Sequence, residues 1–210
     1  MLWFYIFEII GTISFAISGA MVAIQKKVDI FGVMFLGLIT AFGGGLIRDV
    51  SLGNVPPAMF NNTIYLTCAV VATLVVFLTA SLFKEYYIKK EILFDTINNI
   101  FDALGLGAFS VVGAKVTMLS CNDANTFLII VMGMITGMGG GLLRDLLVRE
   151  IPFVLNKRVY AVAAMLGATA YYILTAFTYS WLAMVVGVFV TFSLRMLSTI
   201  FKWNLPKALD

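Results

Sequence analysis

Residues 39–50 read "ITAFGGGLIRDV" and residues 135–146 read "ITGMGGGLLRDL", and this doubled stretch constrains the chain more than any other feature. Each copy sets three consecutive glycines and then an Arg-Asp pair into a long apolar run. A glycine costs about 1 kcal/mol of helix propensity relative to alanine. A charged side chain at the centre of a membrane helix costs around 2.5–3.5 kcal/mol on insertion scales. The copies lie 96 residues apart, and ten of twenty positions are identical without a gap between residues 37–56 and 133–152, Pro56 and Pro152 included.

The surrounding sequence is that of a membrane protein. Of 210 residues, 61% are hydrophobic and 12% charged, about half the charge of an average soluble domain. Seven apolar segments are each about 20 residues long, as a transmembrane helix requires: 2–24, 30–50, 62–83, 92–114, 125–147, 159–178 and 180–201. Their continuous apolarity predicts helices, since barrel strands alternate over about ten residues. The expected fold class is therefore all-α, a polytopic membrane protein of seven transmembrane helices.

Basic residues give the expected orientation. Lys26, Lys27, Lys84, Lys89, Lys90, Arg149, Lys157, Arg158, Lys202 and Lys207 fall in alternate loops and the C-terminal tail, whereas the opposite loops hold Lys115. The positive-inside rule then places the N-terminus outside and the C-terminus in the cytoplasm, with the inner membrane as the expected location. Segment 1 reads as a retained helix and not a cleaved signal, because nothing basic precedes it, Lys26 and Lys27 follow it, and Glu8 interrupts it. Cys68 and Cys121 offer no disulfide framework or metal spacing. The sequence has no histidine, which removes the commonest general base and metal ligand. Ser18-Gly19 has no partnering base either, so no enzyme, metal or cofactor is expected, and no nucleic-acid partner.

The helix before each motif also matches, loosely: residues 17–20 read "ISGA" and 105–108 read "GLGA", an offset of 88 that implies a longer loop in the second copy. Each repeat thus holds three segments. Three is odd, so the second copy enters the membrane from the opposite side, as an inverted repeat. The expected organisation is a first repeat at 1–83, a cytoplasmic loop at 84–91, a second repeat at 92–178, and a seventh helix with its tail at 179–210.

Small residues spaced by four (Gly37, Ala41 and Gly45; Gly133, Gly137 and Gly141) predict close helix packing. Consecutive glycines need more. Gly43, Gly44 and Gly45, like Gly139, Gly140 and Gly141, point in three directions, and the expectation is a break or hinge that frees backbone groups into a cavity. No Lys-Ser or Lys-Thr follows the glycines, so a phosphate loop is not favoured. Thr40, Gly44 and Arg48 share a helical face, as do Thr136, Gly140 and Arg144. Asp95, Asn98, Asn99 and Asp102 form a polar stripe, and segment 1 adds Glu8, Thr12, Ser14 and Ser18. Asp95 and Glu8 lie near segment ends and can reach the interface; Asp102 is deeper. Neighbours on a helix do not face each other, so Arg48 and Arg144 are expected to pair with another helix instead of with Asp49 and Asp145. A latch and a pore-lining role both remain open for them.

The doubled glycine triplet with Arg-Asp, repeated over three segments each with a seventh left over, resembles the trimeric intracellular cation (TRIC) channel family in its prokaryotic branch, also described as a glycine-transporter-domain family. The resemblance covers nearly the whole chain. It implies a homotrimer in membrane lipid, with one path for monovalent cations, chiefly potassium, inside each subunit. It implies that segments 2 and 5 kink at the triplets and line that path. Eukaryotic members carry Lys-Glu-Gly at the first triplet where this chain has Gly43-Gly44-Gly45, so regulation tied to that lysine and glutamate is not carried over.

Two functions use these residues. In a passive cation channel Thr40, Thr136, Ser14 and Ser18 supply neutral oxygens, with kinked-helix carbonyls adding more, Asp102 favours cations, and Arg48 and Arg144 gate by pairing or repel misplaced charge. In a secondary transporter of glycine or a similar small amino acid, freed helix N-termini hold a carboxylate. A pure assembly protein, its glycines only packing helices, is the third possibility.

Overall fold

The computed structural model describes residues 2–121, 123–156 and 159–203; Lys157, Arg158 and Lys207 of the basic set lie outside them. The regular elements among the described residues are all helical, in the order α1 (Leu2–Gln25), α2 (Ile30–Ser51), a 3-10 turn (Ala58–Phe60), α3 (Thr63–Leu82), α4 (Lys84–Lys89), α5 (Glu91–Ser120), α6 (Thr126–Leu147), α7 (Phe153–Asn156), α8 (Tyr160–Thr175) and α9 (Ser180–Ile200). Among them, α1, α2, α3, α5, α6 and α9 are long and apolar enough to cross a membrane, and α8 is a shorter apolar helix of 16 residues. Two expectations change here. The apolar segment ending at residue 114 continues as helix to Ser120, past Lys115. The linker at 84–91 carries the short helix α4 instead of a plain loop.

Capping fixes where the motif helices start and stop. The Asp29 carboxylate accepts from the Gly32 N–H at 2.8 Å at the head of α2, and Asn125 accepts from Leu128 N–H at 2.8 Å at the head of α6. Past the C-terminal ends, Gly53 (φ 74°) and Arg149 (φ 58°) each take the left-handed conformation that closes a helix. The N–H of the next residue then returns to the helix: Asn54 to Asp49 O at 2.8 Å, Glu150 to Asp145 O at 2.9 Å.

The central helices are α1 and α5. Each packs on the other and on its own motif helix; α3 lies outside α1 and α2, α8 outside α5 and α6, and α9 closes on α5 and α8. Small residues make the contacts close. Gly11 lies against the Phe109 ring, Gly105 against the Phe15 ring, and the two rings sit 5.4 Å apart. Gly19 abuts Leu36 O and Thr40 on α2; Gly113 abuts Met132 O and Thr136 on α6. Gly11 with Gly105, Phe15 with Phe109, and Gly19 with Gly113 are each 94 residues apart. The expected offset of 88 is therefore corrected. The "GA" pair that suggested it is too common in helices this rich in small residues to set a register.

Candidate functional site

The glycine triplets sit where α2 meets α6. Both helices run unbroken through them, which corrects the expectation of freed backbone groups. A neighbouring helix backbone occupies the space that side chains would need. A Cβ on Gly44 would overlap the carbonyl oxygen of Thr136, and a Cβ on Gly140 would overlap that of Thr40. Gly139 would reach Gly44 Cα at 2.9 Å and Ile47 at 3.1 Å, while Gly43 would reach Leu143 at 2.6 Å and Gly140 Cα at 3.5 Å. These contacts are antiparallel, and each maps onto the other under the 96-residue offset.

The third glycines differ from the first two. A Cβ on Gly45 would come near only Arg48 Nη2, at 3.7 Å, so Gly45 is not needed for packing. One on Gly141 would lie 2.9 Å from Tyr160 Oη, 3.6 Å from Arg144 Nη2 and 3.7 Å from Asp102 Oδ1, so Gly141 vacates a polar niche.

The hydroxyls around the crossing are turned inward. Thr40 and Thr136, both fully buried, donate to Leu36 O and Met132 O of their own helices at 2.6 Å. Ser14 and Ser18 are buried on α1. These side chains are packed away from solvent, and α2 and α6 lie in direct contact at the crossing.

Beyond each triplet lies a charge cluster. Arg48 pairs with its own neighbour, Nε and Nη2 reaching Asp49 Oδ1 at 2.8 and 2.7 Å, and Arg144 Nε reaches Asp145 Oδ1 at 2.8 Å. The expectation that adjacent residues would not pair is corrected. A long guanidinium can fold back over the last helical turn to a carboxylate held from the far side. That hold comes from the loop: Asp49 Oδ2 accepts from Ala58 N–H at 2.9 Å, and Asp145 Oδ2 from Phe153 N–H at 2.8 Å. Each motif Asp ties the returning chain to the helix end.

Arg144 also meets the expectation of pairing across helices. Its Nη1 donates to Asp102 Oδ1 on α5 at 2.8 Å and to Ser18 Oγ on α1 at 2.6 Å, and Ser18 donates to Asn98 at 2.7 Å. Arg195 of α9 completes this cluster, donating to Asn99 at 3.0 Å, lying 3.9 Å from Asp102 Oδ2, and stacking its guanidinium 4.7 Å from the Tyr160 ring centre. Arg144, Asp102 and Arg195 are 0%, 0% and 1% exposed, so the low-dielectric interior makes each dependent on its partners. Around the first motif, Glu8 accepts a hydrogen bond from the Tyr65 hydroxyl. Asp95, at the far end of the stripe, accepts from Gln25 at 2.6 Å in an exposed position.

Arg195, Tyr65 and Tyr160 escaped the sequence reading as site residues. Arg195 is the single basic residue within the last apolar segment, and that was the available signal. The tyrosines gave none, because tyrosine near a membrane-helix end is ordinary.

Comparison with known proteins agrees with this architecture. The family model described as "Glycine transporter" matches residues 5–81 and again 99–176. The membrane protein YvgT of Bacillus subtilis is 36% identical over 203 residues, covering 95% of this chain and 93% of that protein. The inner membrane protein YadS of Escherichia coli is 37% identical over 212 residues, covering 98% and 97%. Among solved structures, a TRIC trimeric intracellular cation channel orthologue from Rhodobacter sphaeroides superposes with a TM-score of 0.85 at 31% identity, over 97% of this chain and 100% of that one. A prokaryotic TRIC channel crystallised in 0.5 M KCl superposes with a TM-score of 0.85 at 36% identity, over 96% and 98%. These neighbours are channels, not enzymes, and this chain is an integral membrane protein that belongs to the glycine-transporter-domain family of prokaryotic TRIC channels.

Proposed function

We propose that the chain is a monovalent cation channel, chiefly for potassium, working as a homotrimer with one path inside each subunit between α2 and α6. The observation that carries this is the reciprocal α2–α6 crossing at Gly44 and Gly140, found in a chain whose structural neighbours are TRIC cation channels. The crossing is shut here, and conduction requires these helices to part. Glycine lowers the barrier to that bend, so Gly43–Gly45 and Gly139–Gly141 act as hinges and not as standing breaks. Once apart, Thr40 and Thr136 turn their hydroxyls from their own carbonyls toward the ion. The charge clusters set how far the ends of α2 and α6 can move.

The same geometry supports two inverted three-helix repeats, 1–83 and 92–178, with α9 outside them. Seven crossings follow, with α8 as the shortest, the N-terminus outside and the C-terminus in the cytoplasm of an inner membrane. Inverted repeats also suit alternating access, and the doubled match to a glycine-transporter model favours testing it. Purified protein in liposomes separates the two. Potassium efflux down its gradient, indifferent to glycine, is the channel result. Saturable glycine uptake without potassium leak is the transporter result.

A further inference from the structure

The two charge clusters occupy matching places in the repeats but do not match in charge. Glu8 and Asp102 are 94 residues apart, the offset that relates α1 to α5 throughout. Arg48 and Asp49 stand to Arg144 and Asp145 as one motif to the other. Tyr65 of α3 reaches Glu8, as Tyr160 of α8 borders Asp102. One charged component has no counterpart: Arg195, supplied by α9, which lies outside the duplication.

Arg195 changes the electrostatics of one end only. Asp102, Arg144, Asp145 and Arg195 sum to zero formal charge. Glu8, Arg48 and Asp49 sum to −1. Arg48 is taken up by Asp49 at 2.7 Å, so among the described residues Glu8 has a neutral hydrogen-bond partner, Tyr65, and no cation within ion-pair distance. Glu8 is also half-buried where Asp102 is sealed. A partly exposed carboxylate inside a membrane span, with no cation in ion-pair contact, attracts a cation.

Building on the channel reading, we propose that Glu8 is the cation-attracting residue of the path, at the end where α1 begins and α2 ends. Arg195 cancels the equivalent site at the other end. The role expected for Asp102 thus passes to Glu8, Asp102 being held by two guanidinium groups. The ligand class is a partly hydrated monovalent cation, taken by the Glu8 carboxylate beside the Tyr65 hydroxyl.

The test is single-channel conductance of full-length wild type, Glu8→Gln and Glu8→Asp in planar bilayers. At about 10 mM KCl, where charges act over about 30 Å, Glu8→Gln is expected to lower conductance roughly two- to tenfold. The loss should appear only for cations arriving from the Glu8 end. Glu8→Asp should restore most of it. At about 1 M KCl, with screening over about 3 Å, wild type and Glu8→Gln should coincide. A conducting wild type with Glu8→Gln unchanged at low salt from both sides overturns this inference and leaves the channel standing. A wild type silent to potassium removes both.

Discussion

Gly44 and Gly140 each lie against the other's helix at the carbonyl four residues before the other glycine: Gly44 against Thr136 O, Gly140 against Thr40 O. Neither helix can accept even a methyl group there without moving. Gly44→Ala and Gly140→Ala should therefore each destabilise the protein by about 1–3 kcal/mol, the usual cost of overpacking. Thermal unfolding in detergent checks this. The double variant should cost less than the two singles together, since the first substitution already parts the helices.

Gly45→Ala provides the contrast. Its Cβ would come near only Arg48 Nη2, at 3.7 Å, so the gain of up to about 1 kcal/mol in helix propensity is expected to show. The melting temperature should hold or rise. A fall as large as that of Gly44→Ala would mean that the third glycine packs as tightly as the second.

How much of this was legible in the sequence depends on whether the cause was local. The apolar runs and the doubled motif are local, and the helices follow them closely. The triplets read as breaks because helix propensity counts only what glycine loses. The compensating gain, backbone lying directly on backbone across α2 and α6, belongs to the tertiary structure. The pairing of Arg48 with Asp49 was missed for a related reason. Spacing on a helix surface ignores a side chain long enough to fold back, and it cannot see Ala58 N–H holding the carboxylate in place. Arg195 lies far along the chain from Asp102, and no periodicity connects them.

Removing Asp102 should be the most damaging single change. Asp102→Ala leaves Arg144 and Arg195 buried with their shared carboxylate gone, a loss of about 3–5 kcal/mol for a broken buried pair. Glu8→Ala gives up a hydrogen bond from a neutral tyrosine and should cost about 1 kcal/mol. Chemical or thermal denaturation of both in one detergent gives the ranking; equal losses would contradict the assignment of Asp102 to a sealed cluster.

Asp49 and Asp145 each hold a backbone N–H of the returning chain. Asp49→Ala should speed amide exchange at Ala58, and Asp145→Ala should do so at Phe153, each without changing exchange in the other half. Hydrogen exchange read by mass spectrometry resolves the two segments.

At the two ends of the crossing, Lys26 pairs with Glu150, and Asn54 donates to Ser120 Oγ at 3.1 Å. These pairs also correspond under the repeat offsets, but both are exposed, and exposed ion pairs are worth about 0–1 kcal/mol. Glu150→Gln should therefore shift the melting temperature by no more than about 4 °C, an effect that vanishes at high salt.

The measurement that tests the central claim most directly is the potassium current through Thr40→Cys and Thr136→Cys channels during exposure to a small charged thiol reagent. The partly exposed Cys68 and Cys121 are first replaced by serine. If the path runs between α2 and α6, both introduced thiols, buried in the shut state, should stay unreactive while the channel is closed and should react and block current once it opens. Sustained potassium current with neither position ever modified would place the path elsewhere and contradict the account.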